Sequence, residues 1–460
     1  MKKIKLAGMV SSTIALAQLL IFFGSCQKEA SLTKQKATEE FITQSVNSNA
    51  NALPHTKQYP ADVATGWFNL LTEITRTKPY FVGQANRIFA YSGITLYESV
   101  VHGMPSYQSM YKHLTGNTIE SGNKKDYHWP ACANAAIARI SSRIMQTYPA
   151  PNLAQVQALE AMFNGSFQSQ VTPQQLQASN EFGKYVADII FEWSKTDGAF
   201  NPDGTPAICP PYVPLGGPGN WVPTPPAFLP AVGNCHGRTF IPNIVNTVLA
   251  APHPAYSVDP SSAFYQAANE VLQRRNNITP QEMKAFSNWR DLSPNYNPIA
   301  HMLKISTEIF IKEKLNLEDA SVLFAKQTMA ASDAASAVFK SKFHYALIRP
   351  VTYIRGVMGQ NSWLSFGTTP QTPSYPDELS VTASTVDILE NYFGTNYAVT
   401  DSVHQSTHGI FSYPSLNALV LDEAEARVSG GTIFRFSGEA GLTQGRKVGQ
   451  MINALPFKKP

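Results

Sequence analysis

Charge is scarce in this chain: Asp, Glu, Lys and Arg make up 15% of its 460 residues, and the net charge is only +4. No run of Lys or Arg offsets that scarcity, so the basic stripe that nucleic-acid binding needs is missing. Cysteine is scarcer still, with four residues, and no set of them has the spacing of a zinc site. The chain contains no Gly-Xaa-Ser-Xaa-Gly elbow, no His-Glu-Xaa-Xaa-His helix and no phosphate-binding glycine loop ending in Lys-Ser or Lys-Thr. The usual routes to serine hydrolysis, zinc proteolysis and nucleotide hydrolysis are therefore closed. No segment alternates apolar and polar residues long enough to build a large sheet.

What is present starts with Met1-Lys2-Lys3-Ile4-Lys5, a mostly apolar stretch from Leu6 to Phe23, and Gly24-Ser25-Cys26. A basic start, an apolar region and small residues before a cysteine read as an export signal. The arrangement is similar to that of bacterial lipoproteins, with 1–26 as the signal peptide segment and Cys26 as the lipidated residue. An uncleaved anchor is the alternative, because the apolar stretch approaches the length of a membrane span. Either way the expected location is the bacterial cell envelope, with the outer membrane as the expected site of the lipid anchor. Residues 27–60 are polar and poor in large apolar side chains, which predicts a flexible tether. Of the remaining cysteines, Cys209 and Cys235 bracket a Pro-rich loop and are candidates for a disulfide in an oxidising compartment. Cys132 lies in an Ala-rich apolar stretch and reads as core.

From residue 61 to 460 the chain is rich in aromatic and aliphatic residues and predicts one large helical domain. The helices 61–198 precede a Pro-rich segment at 199–258, and further helices fill 259–460. Thr172-Pro173 and Thr279-Pro280-Gln281-Glu282 open helices with Pro at the first helical position, the second of them with a capping box. Helical period is also legible at 84–102, 130–146, 261–274 and 318–348, and after the turn around Pro376 up to Leu389. The Pro-rich segment contains Cys209-Pro210-Pro211 and Gly216-Gly217-Pro218-Gly219, and is expected to wrap the surface.

Three stretches carry the candidate chemistry. The first is Lys342-Phe343-His344-Tyr345-Ala346-Leu347-Ile348-Arg349-Pro350, where seven residues separate two cations that would share one helix face. The second is Thr372-Pro373-Ser374-Tyr375-Pro376-Asp377-Glu378-Leu379-Ser380-Val381. The third is Arg427-Val428-Ser429-Gly430-Gly431-Thr432-Ile433. In this order they resemble the motifs of the vanadium-dependent haloperoxidases and the related type 2 phosphatidic acid phosphatases. Those motifs run Lys, six residues, Arg-Pro; then Pro-Ser-Gly-His; then Ser-Arg, three residues, Gly, one residue, His. Trp221-Val222-Pro223-Thr224-Pro225-Pro226, Arg87-Ile88-Phe89-Ala90-Tyr91 with Leu96-Tyr97-Glu98, and Thr279-Pro280 before Trp289 extend the likeness to the bacterial branch and to nearly the whole mature chain.

The resemblance implies an all-α bundle in which Lys342, Arg349 and Arg427, with Gly431, frame a vanadate or phosphate by charge-assisted hydrogen bonds. It also implies that the two histidines of that chemistry are missing, with Leu379 and Ile433 in their places. Neither side chain can coordinate vanadium, attack phosphorus or exchange a proton. The expectation is an envelope protein that binds an anion or a protein partner without the family's catalysis and with no assured cofactor. The rival expectation is an active haloperoxidase or phosphoesterase that recruits His344 or His408. Asp377 and Glu378 fall where the anion would sit, so either they plug the pocket or a free oxyanion fills it. Weaker candidates are a metal at Asp401, His404 and His408, isolated structural histidines at His236 and His301, and a buried ion pair at Asp333.

Overall fold

The computed structural model describes residues 53–460, apart from 79, 123–125, 149–150, 152, 202–206, 208, 211, 231–236 and 292–295. The leader, Cys26, most of the tether, Cys235 and His236 lie outside the described residues. Cys209 is disulfide-bonded, and Cys132 is a buried free thiol.

Twelve helices of nine residues or more are found among the described residues. The N-terminal group comprises α1 (Asp62–Thr77), α2 (Val82–Val100), α3 (Trp129–Met145), α4 (Leu153–Phe167) and α5 (Pro173–Ser194). After the Pro-rich segment come α6 (Ala263–Asn276), α7 (Pro280–Asn288), α8 (Pro298–Lys312) and the 29-residue α9 (Leu317–Tyr345). The C-terminal group is α10 (Leu379–Phe393), α11 (Leu416–Ser429) and α12 (Arg435–Asn453). One short antiparallel ribbon pairs β1 (Val399–Asp401) with β2 (Phe411–Tyr413). The chain is all-α, as its periodicity predicts.

Local chemistry explains several helix starts. Thr279 accepts the Glu282 N–H while the Glu282 carboxylate accepts the Thr279 N–H, so the expected capping box forms. Thr172 and Gln175 repeat the arrangement at α5. Packing then selects the faces. In α9, Phe324 stacks on Phe68 of α1 and meets Phe310 of α8 edge-on, and the same helix packs against α2, α10 and α12. The spine of the domain is therefore α9, at about 1.5 Å per residue roughly 44 Å long. On its C-terminal side α12 lies tight against α10. A Cβ at Gly441 would come 2.4 Å from the Asp377 carbonyl oxygen, and one at Gly445 would come 2.2 Å from that of Ser380. Small residues there let two helix backbones approach more closely than side chains would permit.

Three expectations need correction. The folded unit starts at His55 rather than 61, because the buried Thr56 hydroxyl donates to the Val100 carbonyl and Tyr59 packs edge-on against His128. Asp333 makes no ion pair among the described residues; its carboxylate accepts the backbone N–H groups of Phe240 and Ile241 at 2.8 and 2.9 Å. The third concerns the cation pair. Helix α9 ends at Tyr345, where Ala346 turns left-handed with φ 47°, so Arg349 shares no helix face with Lys342. Instead it caps the short helix Pro350–Gly356.

The described part of the Pro-rich segment packs along the helices, burying Trp221, Phe240 and Ile244. Besides the Asp333 contacts, its Trp221 N–H donates to Ala346, the Ile348 N–H donates to Gly219, and Gln444 of α12 donates to the Val248 carbonyl. None of the helices in the described residues is long and apolar enough to cross a membrane.

Candidate functional site

The left-handed turn at Ala346 sends the chain back across the end of α9 and brings three separate stretches to one place. Lys342 is fully buried on the last turn of α9, and Arg349 is fully buried at the start of the next helix. Arg427 reaches in from the end of α11 with its side chain 13% exposed. The three cations that the resemblance assigns to an oxyanion do converge, through a turn and not through helical spacing.

Their partners belong to the chain itself. Lys342 Nζ donates to the Pro373 carbonyl at 2.8 Å and lies 3.3 Å from Glu378 Oε1. Arg349 gives its Nε and Nη2 to Thr372, at 2.7 and 2.8 Å, and its Nη1 to the Thr432 carbonyl at 3.1 Å. Arg427 Nη1 is 2.9 Å from Asp377 Oδ1 and 3.9 Å from Glu378 Oε2, while Nη2 pairs with Glu423. The Thr372 hydroxyl completes the circuit by donating to Glu378 Oε1 at 3.1 Å. Glu378 thus sits among all three cations, and each guanidinium nitrogen of Arg349 already donates one hydrogen bond to a neutral oxygen of the chain.

The electrostatics follow from burial set against charge. Desolvation lowers Lys342 to about 8 against the pull of Glu378, with Arg349 lowering it further. Arg349 is also lowered by burial, against the attraction of Glu378 and Asp377. Burial would raise Glu378, but Lys342, Arg349 and Arg427 outweigh it and hold the carboxyl at about 2. For Arg427, burial works against the charge, yet Asp377, Glu423 and Glu378 raise it. Buried ion pairs persist only when the partners and hydrogen bonds replace lost hydration, and here carboxylates and loop oxygens do so.

Leu379 and Ile433, which the resemblance sets in the places of histidine, are buried at 0% and 1% exposure within the apolar core. Each has its Cδ1 3.3 Å from where a Cβ on Gly438 would stand, so the two converge beside α12 as hydrocarbon. Gly431 takes φ 82°, and a Cβ there would press on the Trp363 ring at 2.9 Å. That position requires glycine for the turn that brings the Thr432 carbonyl to Arg349. The donor set does not fit vanadate: among the described residues no histidine is a partner of the three cations, and carboxylates hold the anionic position.

The remaining candidates are dispersed. His344 is exposed at the end of α9, and neither it nor His408 bonds to Lys342, Arg349 or Arg427. Asp401 and His404 are buried; Asp401 bonds to His301, His404 groups with Asp291 and His301, and His408 touches His404 only ring to ring at 5.9 Å. Sequence reasoning set His301 aside as isolated, and nothing in its spacing from Asp291 or His404 signals a cluster.

A family model of the second helical-bundle domain of vanadium chloroperoxidases matches residues 322–456. Among solved structures, a bacterial vanadium-dependent iodoperoxidase superposes with TM-score 0.78 at 26% identity, covering 87% of this chain and 97% of the other. A bacterial vanadium-dependent chloroperoxidase superposes in its apo form with TM-score 0.60 at 15% identity, covering 80% of this chain and 91% of that one. Its holo form gives the same score and identity over 88% and 98%. No curated protein sequence matches the chain significantly.

Proposed function

We propose that this chain, a member of the vanadium haloperoxidase superfamily, is a non-catalytic envelope lipoprotein whose oxyanion cradle is closed by its own carboxylates. One observation carries the reading: Glu378 lies 3.3 Å from Lys342 and 3.9 Å from Arg427, in the midst of the charges that would otherwise hold an anion. The apolar burial of Leu379 and Ile433 supports it, since general acid-base or nucleophilic chemistry needs a lone pair within hydrogen-bond reach of the reacting atom. The protein then acts by binding or scaffolding at the envelope, tethered through Cys26, with an internal ion-pair set in place of a cofactor. Its binding partner is to be sought among envelope proteins.

The test is an assay of purified mature protein with vanadate, peroxide and either iodide or bromide, alongside a phosphomonoester. The expected result is no turnover above buffer. Turnover that Arg427→Ala abolishes would overturn the reading. Phosphate affinity gives a second readout. Glu378→Ala should increase it at least tenfold, whereas an unchanged affinity would remove the carboxylate from the role assigned to it.

A further inference from the structure

A second polar constellation lies in the C-terminal half, outside the cation cradle. Asp291 follows α7, His301 stands in the first turns of α8, and His404 precedes the short helix Gln405–His408 beyond β1. His301 is fully buried, and each of its ring nitrogens faces a carboxylate. Nδ1 is 2.9 Å from Asp291 Oδ1, and Nε2 is 3.1 Å from Asp401 Oδ2. Trp289 stacks on the His301 ring at 4.9 Å, and His404 meets it nearly perpendicular at 5.2 Å.

His404 is the member that a purely structural tie leaves unexplained. The residue is only 8% exposed. Its Nε2 points toward Asp291 Oδ1 at 3.5 Å, at the outer edge of hydrogen-bond range, and finds no other hydrogen-bond partner among the described residues. One ligand-capable atom from each of Asp291, His301 and His404 lies within 4.8 Å of the other two. Two imidazoles and a carboxylate form a donor set suited to a first-row divalent ion, and a carboxylate behind one histidine is the usual means of orienting such a ligand.

We propose that Asp291, His301 and His404 bind one divalent transition-metal ion, of the zinc or cobalt type, with Asp401 orienting His301. His301 ligates through Nδ1 while its Nε2–H donates to Asp401. The ion replaces the proton that now joins Nδ1 to Asp291, and that proton passes to solvent. Ligand atoms on a tetrahedral ion with bonds of about 2.0–2.1 Å stand roughly 3.4 Å apart. The cluster therefore opens by about half an ångström between His301 and Asp291 and closes around His404. The ion would tie together the segment after α7, the start of α8 and the loop after β1, which are distant in sequence. This site is independent of the cradle proposal, because it uses none of the cradle's residues.

The experiment takes the full mature chain, strips it with a chelator, and titrates it with Co²⁺ and then Zn²⁺. The expected result is one equivalent of Co²⁺ with a visible ligand-field band, displaced by Zn²⁺, and a higher thermal midpoint. His404→Ala should lower affinity at least tenfold while the metal-free protein keeps a cooperative transition. His344→Ala, at the exposed end of α9, should bind as the parent does. If His301→Ala does not fold, Asp291→Asn provides the second variant, with the same expected loss. Absence of the Co²⁺ band in the parent, or binding that survives His404→Ala unchanged, would overturn the proposal.

Discussion

Two carboxylates, Glu378 at the cradle and the buried Asp333, act on stability in opposite directions with pH. Glu378 is held at about 2, against an ordinary 4.5, by the cations around it. Its contribution is present above the unfolded value and is lost as pH falls from about 4.5 toward 2. Asp333 is raised by burial to about 7 from 3.8, despite the two N–H groups that it accepts. Its contribution is complete at low pH and is lost as pH rises through about 7. Urea midpoints measured from pH 3 to 8 should therefore lose part of their acid-side fall in Glu378→Gln, the rest belonging to other lowered carboxylates such as Glu282 and Asp401, and part of their decline toward neutrality in Asp333→Asn. Glu378→Ala goes further, because it leaves the fully buried Lys342 without its nearest carboxylate. It should cost about 3–5 kcal/mol, the range for breaking a buried pair. Added phosphate should recover part of that cost in the same unfolding measurement, since a ligand bound only by the folded state stabilises it. Of this site, the three cations and the acids between them were legible in the sequence through motif order. The route by which they meet was not, because nothing in Ala346 announces a left-handed turn.

Among the elements, the α10–α12 contact offers a sharp comparison. Gly→Ala in a helix interior ordinarily stabilises by up to about 1 kcal/mol. Gly165 of α4 has open space around its missing Cβ, and Gly165→Ala should follow that rule in thermal unfolding. Gly441→Ala should do the reverse, because its methyl would meet the Asp377 carbonyl at 2.4 Å and force the helices apart. Overpacking of this kind costs about 1–3 kcal/mol, and it would also move the Asp377 backbone that leads into the cradle. Helices with polar caps and regular apolar stripes, such as α5 and α7, could be read in advance. The tight α10–α12 pair could not, because glycines at 438, 441, 445 and 449 look like weak points in a helix until the partner backbone is present. The Asp291, His301 and His404 cluster was equally hidden, since its members come from three elements that only the fold brings together.

For the whole molecule, the long helix α9 decides how the domain can be divided. The matched bundle at 322–456 begins inside it, yet Phe324 of that helix packs on Phe68 and Phe310, which lie outside the matched range. A fragment covering 322–460 should therefore fail to fold, while 55–460 should unfold in one cooperative step; circular dichroism during urea titration checks both. The all-helical architecture was legible from composition and punctuation. The start of the folded unit was not, because the polar stretch before residue 61 gives no sign that Thr56 and Tyr59 are anchored. The carboxylate seated between Lys342 and Arg427 also couples two changes that look separable. Histidine placed at 379 and 433 would still face an acid among the cations, and removing the acid alone would leave a buried lysine unneutralised. Position 378 therefore acts as a latch: the cluster changes character only when several positions change together.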